Sequence, residues 1–267
     1  MAEFSAHDVK ALRDATGAGM MDAKKALTAT DGDARAATAW LRERGLGKAS
    51  ERAGRDNVEG AVSVVLLGDV GALVELKSES DFVAKSPQFV AAVNQLAQAV
   101  ATDGEGAVET HKDLIDDLRL SLKENIEVGQ VARFAGGSGH VLDSYLHIQN
   151  GRGVNGVLVE LADGSAELAH DLAVHVAFGK PGYVHREDVP PEEVAAERSA
   201  LDAQTRNEGK PEQALPKIVE GKLNGWYKRV PGGVLLEQPY AKDDKQTVSQ
   251  VLGTASVVRI AQAVVGA

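Results

Sequence analysis

The residues best placed to do chemistry are Ser80, Asp81, Phe82, Val83, Ala84 and Lys85, a turn in which a large aromatic stands beside a carboxylate just after a strand-like segment. A ring that points outward from such a turn is held out for a partner. The same ring turned inward is an ordinary core residue. Most Phe side chains in globular chains are buried, so residue type alone favours the core. His147 is a second candidate, two residues after Tyr145 and just before Asn150-Gly151-Arg152-Gly153. A lone histidine near a strand end is more often structural than chemical.

Nothing else assembles into a catalytic set. There is no P-loop, no dinucleotide glycine fingerprint after a strand and no His-Glu-x-x-His pattern. His170 and His175 are five apart on one predicted helix, a poor spacing for shared metal ligation. Asp116-Asp117 and Asp243-Asp244 are adjacent pairs whose side chains diverge, and they read as solvated acids. No metal, cofactor or covalent step is expected. One reading from another class is kept beside this, a hydrolase using Asp81 with His147 or His175.

The elements around the aromatic turn follow from periodicity. Gly71-Ala72-Leu73-Val74-Glu75-Leu76-Lys77 alternates, setting Ala72, Val74 and Leu76 on one face of a half-buried strand against Leu73, Glu75 and Lys77. Ser86-Pro87 supplies an N-cap and first-turn proline, after which Phe89, Val90, Val93, Leu96, Ala97 and Val100 recur at helical spacing. Asp81-Phe82 therefore occupies a strand-to-helix joint. Gly156-Val157-Leu158-Val159-Glu160-Leu161 repeats the strand with one difference in six, again ahead of a helical stripe at Leu168, Leu172 and Val176.

The expected fold class is α+β. Residues 1–45 form a module of three short helices: Ser5 and Asp8 make a capping box before Val9 and Leu12, Met20, Ala23 and Leu27 mark the second helix, and Ala37, Trp40 and Leu41 mark a third that stops at Gly45. Of Met20 and Met21, spacing assigns at least one to the core. A linker covers 46–56. Arg42, Arg44, Lys48, Arg52 and Arg55 interleave here with Gly45, Gly47 and Gly54, and they read as solvated, with a weak partner contact as the alternative. Two related antiparallel subdomains follow, at 57–141 and 142–267, with the flexible loop Gly136-Gly137-Ser138-Gly139 near their junction. The second is interrupted at about 187–228 by a helical hairpin with a thin apolar stripe, Val194 and Leu201 facing Leu215, Ile218, Val219 and Leu223. Gly221 in its second helix implies close helix approach.

Acids outnumber bases 39 to 29, for a formal charge of −10, which argues against nucleic acid as the main ligand. The chain has no cysteine, which removes disulfides and thiolate chemistry. It has no apolar run long enough for a membrane span and no leader at Met1, so the expectation is a soluble cytoplasmic protein with no membrane partner.

Three separated stretches resemble one family, in order along the chain. Ser80-Asp81-Phe82-Val83-Ala84-Lys85 is similar to the signature of bacterial translation elongation factor Ts, with Ser where Thr is common. Thr16-Gly17-Ala18-Gly19-Met20-Met21-Asp22-Ala23-Lys24-Lys25-Ala26-Leu27, with Asp31-Gly32-Asp33, Ala37, Trp40 and Leu41, is similar to the family's opening segment, Ala23 replacing a frequent Cys. Gly209-Lys210-Pro211-Glu212 running into Ile218-Val219-Glu220-Gly221-Lys222-Leu223 is the third match.

The resemblance implies a guanine nucleotide exchange factor for elongation factor Tu, met in its GDP-bound and nucleotide-free forms. It implies that Ser80, Asp81, Phe82 and Val83 intrude beside the partner's magnesium and phosphates and dislodge the ion. It turns Phe82 outward and places Met20, Met21 and Lys24 on the partner's nucleotide-binding domain. Ser144-Tyr145-x-His147 matches a position near the interface, leaving contact and structure both open for His147. The hairpin corresponds to an antiparallel coiled coil used for self-association, giving a homodimer of the complex, or for partner contact. The first module also resembles the ubiquitin-associated (UBA-like) fold, which carries the rival reading of a ubiquitin or peptide binder.

Overall fold

The computed structural model describes residues 4–50, 52 and 54–267, with the backbone alone for 46–50. Helices α1 (Ala6–Thr16), α2 (Met20–Ala29) and α3 (Ala34–Ser50) come first. Ser5 accepts the Asp8 amide at 3.3 Å and Asp8 accepts the Ser5 amide at 2.7 Å, the capping box expected, and Gly17 at φ 66° ends α1. Val9, Leu12, Ala23, Ala26, Leu27 and Ala37 form a small core edged by Phe4, Trp40 and Leu41.

The third helix does not stop at Gly45. It continues to Ser50, because Gly45 faces another helix: a Cβ there would overlap Leu120 Cδ2. Close packing offsets the roughly 1 kcal/mol that glycine costs inside a helix. The basic stretch is correspondingly held. Arg42 pairs with Asp113 at 2.5 Å, Arg52 donates to the Arg119 carbonyl at 3.3 Å and Arg55 pairs with Glu79 at 3.5 Å. The Lys48 side chain lies outside the described residues.

Strands β1 (Glu59–Leu67) and β2 (Val70–Ser78) form a hairpin. It is followed by α4 (Asp81–Ala84), α5 (Pro87–Asp103), α6 (Ala107–Thr110), α7 (Lys112–Leu122) and β3 (Glu127–Ala135). Next come β4 (His140–Gln149), β5 (Arg152–Ala162), α8 (Ala166–Gly179), α9 (Pro191–Asn207), α10 (Leu215–Tyr227), β6 (Pro239–Tyr240), β7 (Asp243–Thr247), α11 (Val248–Leu252) and β8 (Ser256–Val264). Two antiparallel three-stranded sheets result, ordered β1-β2-β3 and β4-β5-β8. Each places a copy of the repeated hexapeptide on its central strand. The fold is mixed helix and sheet, as the α+β expectation had it.

Helices α5 and α7 cover one face of the first sheet through Ala72, Val74, Leu76, Phe89, Leu96 and Leu118, and α8 covers one face of the second through Leu172 and Val176. The remaining faces pack on each other through Val62, Leu73, Phe134, Leu158 and Ala263. This corrects the half-buried reading of the Ala72 strand: Leu73 and Glu75 are buried as well. Glu75 is satisfied by the Gln130 amide at 3.0 Å. Its counterpart Glu160 accepts from Arg259 at 2.5 Å, His140 Nδ1 at 2.7 Å and the Gly137 amide at 3.1 Å. The Gly136–Gly139 loop is thereby pinned, with a second bond from the Gly136 amide to the Asp69 carbonyl at 2.7 Å.

Helices α9 and α10 pair through a cluster of their own that includes Val189, Val194, Leu201, Leu223 and Tyr227. Gly221 is exposed with open space around it, so close approach is not its reason. Asp116 is not a solvated acid either: it is buried and pairs with Arg119 at 3.0 Å, while Arg119 also holds the Ile126 carbonyl at 2.7 Å.

Candidate functional site

The joint after β2 is built from its backbone outward. Ser80, in extended conformation, caps the single turn of α4 by accepting the Val83 amide at 3.3 Å, and its hydroxyl donates to the Glu124 carboxylate. Glu124 also takes the amides of Glu79 at 3.0 Å and Ser80 at 3.1 Å, and Glu79 returns the favour to the Asn125 amide at 2.7 Å. These reciprocal bonds fix the turn on the loop after α7.

Successive residues of one helical turn point about 100° apart, so fixing the backbone sorts the side chains. Val83 and Ala84 are buried in the first core beside Phe89. Phe82 points away and is 75% exposed. Asp81 is exposed and meets Lys85 at 2.9 Å, an i,i+4 pair. The hydrogen bond and charge of Lys85, with a smaller contribution from Arg152, hold its carboxyl below the usual range. Of the four residues expected to intrude, only Asp81 and Phe82 face outward; Ser80 and Val83 anchor the turn.

Arg152 brings a second segment to this end of the molecule. Its guanidinium donates to the Gly60 carbonyl at 2.8 Å and to Glu59 at 2.7 Å, tying the β4–β5 turn to the start of β1, which pairs with the end of β2. His147 is exposed near that turn, with the Tyr145 hydroxyl 3.5 Å from Nδ1. Across the ladder His147 faces Asn155, which donates to the Ala177 carbonyl at 2.8 Å and so draws in the end of α8. Exposed Ile148 and Phe178 join this corner and were missing from the sequence reading. Phe178 carried a signal, being two residues out of phase with the Leu168, Leu172, Val176 stripe, whereas Ile148 follows a register shift after His147 that only the strand pairing reveals.

On α2 the buried face is Ala23, Ala26 and Leu27. Met20 at 48% and Met21 at 64% are both exposed, as is Lys24, so neither methionine belongs to the core. Both residues are freed because Gly19 starts the helix one turn before its apolar stripe. His170 lies 3.4 Å from Asp143. His175 is buried, accepts the Ala241 amide at Nδ1 (3.1 Å) and faces the Gln238 side chain at Nε2 (3.0 Å); burial pushes its pKa down. Those contacts occupy both ring nitrogens and make His175 a packing residue.

A family profile described as Elongation factor TS matches residues 79–267, beginning at the exposed turn. Relatives extend the likeness over the helical module. The chain is 43% identical over 272 residues to Elongation factor Ts of Renibacterium salmoninarum, covering 96% of this chain and 95% of that one. It is 44% identical over 270 residues to that of Micrococcus luteus, with 96% and 95% covered. It is 44% identical over 280 residues to that of Acidothermus cellulolyticus, with 100% and 99% covered. With the profile covering residues 79–267 and the relatives spanning nearly the whole chain, this protein belongs to the elongation factor Ts family and has that family's role in translation elongation.

Proposed function

We propose that the chain binds elongation factor Tu·GDP in the cytoplasm and releases the nucleotide by setting Phe82 and Asp81 against the partner's magnesium and phosphate region. The observation that carries this is the 75% exposure of Phe82 on a turn whose leading residues, Glu79 and Ser80, are tied to Asn125 and Glu124. An exposed ring on a rigid support loses little conformational freedom when it enters a pocket. Asp81 brings a charge to a site where a divalent cation and phosphates are balanced. No covalent bond is made or broken.

Exchange is a coupling between two ligands of one partner. A factor that binds nucleotide-free partner more tightly than nucleotide-bound partner weakens nucleotide affinity by the same ratio. A ~10⁴-fold effect needs about 5.5 kcal/mol of differential interaction. Burying Phe82 contributes about 2 to 3 kcal/mol of this. The rest is assigned to Asp81, to Met20, Met21 and Lys24 on the partner's nucleotide-binding domain, and to the corner at His147.

We read residues 1–45 as a UBA-like docking module, 57–141 and 142–267 as two subdomains of one duplicated plan, and the hairpin at 187–228 as the surface for self-association or further partner contact. Stopped-flow release of a fluorescent GDP analogue from factor Tu, with and without this chain, tests the reading. Acceleration at substoichiometric chain is expected, and spontaneous-rate release at every concentration contradicts it.

A further inference from the structure

Helix α7 has two faces of different character. Ile115, Asp116 and Leu118 turn into the core, while Asp113, Asp117, Leu120 and Ser121 form a stripe at i, i+4, i+7 and i+8 on the other side. The N-terminal module lies on that stripe. Arg42 of α3 reaches Asp113 at 2.5 Å and Asp117 at 3.9 Å, Gly45 takes the Leu120 side chain into the space a Cβ would fill, and a Cβ on Gly17 would touch Ser121. Arg52 then bonds the Arg119 carbonyl at 3.3 Å. Beyond it the Arg55 carbonyl accepts from Asn125 at 2.9 Å, and the Arg55 guanidinium reaches Glu79 at 3.5 Å. Glu79 and Asn125 belong to the clasp that fixes the Phe82 turn.

We infer that the α3–α7 contact is a docking latch that holds the methionine face of α2 at a set position relative to Phe82, with Arg42, Gly45, Asp113, Asp117 and Leu120 as positioning residues. Arg42 of α3 meets two acidic residues of α7, and the glycine lets the two helices close. The functional part rests on the exchange reading above. A partner then meets two contact regions already in register. Without the latch the module swings on the segment before β1, and only the fraction of molecules with the module in place binds at both regions. If that fraction drops to about one in ten, the concentration for half-maximal exchange rises about tenfold, with the maximal rate unchanged.

The chain has no cysteine, so two can be introduced for distance measurement in the full-length protein at exposed Thr28 and Glu109. Leucine at position 45 is a stronger helix former than glycine, so Gly45→Leu keeps α3 while blocking the contact. Asp113→Arg with Asp117→Arg opposes it by charge, and Arg42→Asp with Asp113→Arg restores the pair in reverse. The expected result is a narrow Thr28→Cys to Glu109→Cys distance distribution in the otherwise unaltered chain and in the reversed pair. Gly45→Leu and the double arginine variant should give broad ones. In exchange assays with factor Tu those two variants should need about tenfold more protein for half-maximal release and reach the same maximal rate, with the reversed pair close to the parent. A broad distribution in the parent, equally narrow distributions in all variants, or broadening with no change in half-saturation would overturn the latch. A parent with a narrow distribution and no exchange activity overturns the functional reading and leaves the docking itself supported.

Discussion

The two halves of the sheet region solve the same joint differently. After β5, residues 163–165 carry the chain into α8: Asp163 takes φ 56°, and Ser165 caps the helix by accepting the Leu168 amide at 3.1 Å. After β2, residues 79–86 do the same work with an added helical turn that exposes Phe82. The strands before the two joints are nearly identical, and a buried glutamate lies in each, Glu75 and Glu160. The short joint shows what the fold requires, so the extra turn of the long joint answers to something outside the fold. Its polar groups are spent on rigidity and its one large apolar side chain is left in solvent.

The comparison breaks if Phe82 contributes to the fold as its neighbours do. Phe89, fully buried one helix further on, should lose about 3 to 5 kcal/mol of stability on replacement by alanine. Phe82→Ala should lose less than about 0.5 kcal/mol, the range of exposed sites away from caps and cores. Paired denaturant melts decide this, and similar losses in both variants would place Phe82 in the core.

A deeper cut sharpens the same point. Replacing residues 79–86 by Asp-Gly-Ser, the form of the short joint, should leave a cooperatively melting protein that is weaker by about 2 to 3 kcal/mol from the lost burial of Val83 and Ala84. Non-cooperative melting of this chain would show that the long joint is needed by the fold after all.

The buried His175 of the second half is expected to act on stability alone. His175 has a lowered folded-state pKa, so the unfolded chain binds the extra proton first as pH falls. Its contribution is complete above about pH 6.5 and declines below it, at up to about 1.4 kcal/mol per pH unit, until the folded-state pKa is reached. Denaturant melts between pH 7.5 and 5.5 should show this slope, and His175→Gln should flatten it. A slope unchanged in the variant would assign the effect elsewhere.

The smallest effect concerns the inserted hairpin. Gly221 is exposed in mid-helix with nothing near an added Cβ, so Gly221→Ala should raise stability by about 1 kcal/mol or less. Destabilisation in thermal melts would reveal a contact at this face.

What the sequence made legible was local. Caps at Ser5 and Ser86, alternation in the repeated hexapeptide and the duplicated strand-to-helix order all follow from short-range rules, and each is present. What escaped were features decided by distant residues. Gly45 reads as a helix stop until Leu120 is placed against it. Leu73 and Glu75 read as a solvent face until the second sheet covers them. Asp116 reads as solvated until Arg119 turns back to the Ile126 carbonyl. At the site, spacing placed Phe82 at a joint, residue type pulled it toward the core, and only the three-dimensional clasp around Glu79 and Glu124 accounts for how it stays outside. Of the two methionines, Met20 falls in phase with Ala23 and Leu27 and so reads as core, yet in the first turn of α2 it stays exposed beside Met21.

The measurement that tests the central claim most directly is stopped-flow GDP release from factor Tu at saturating Phe82→Ala protein, beside the unaltered chain. Loss of a contact of about 2 to 3 kcal/mol made in the transition state for release predicts a maximal rate about 30- to 150-fold lower, with unchanged melting of the variant. A folded Phe82→Ala protein that releases GDP at the full rate would contradict the account.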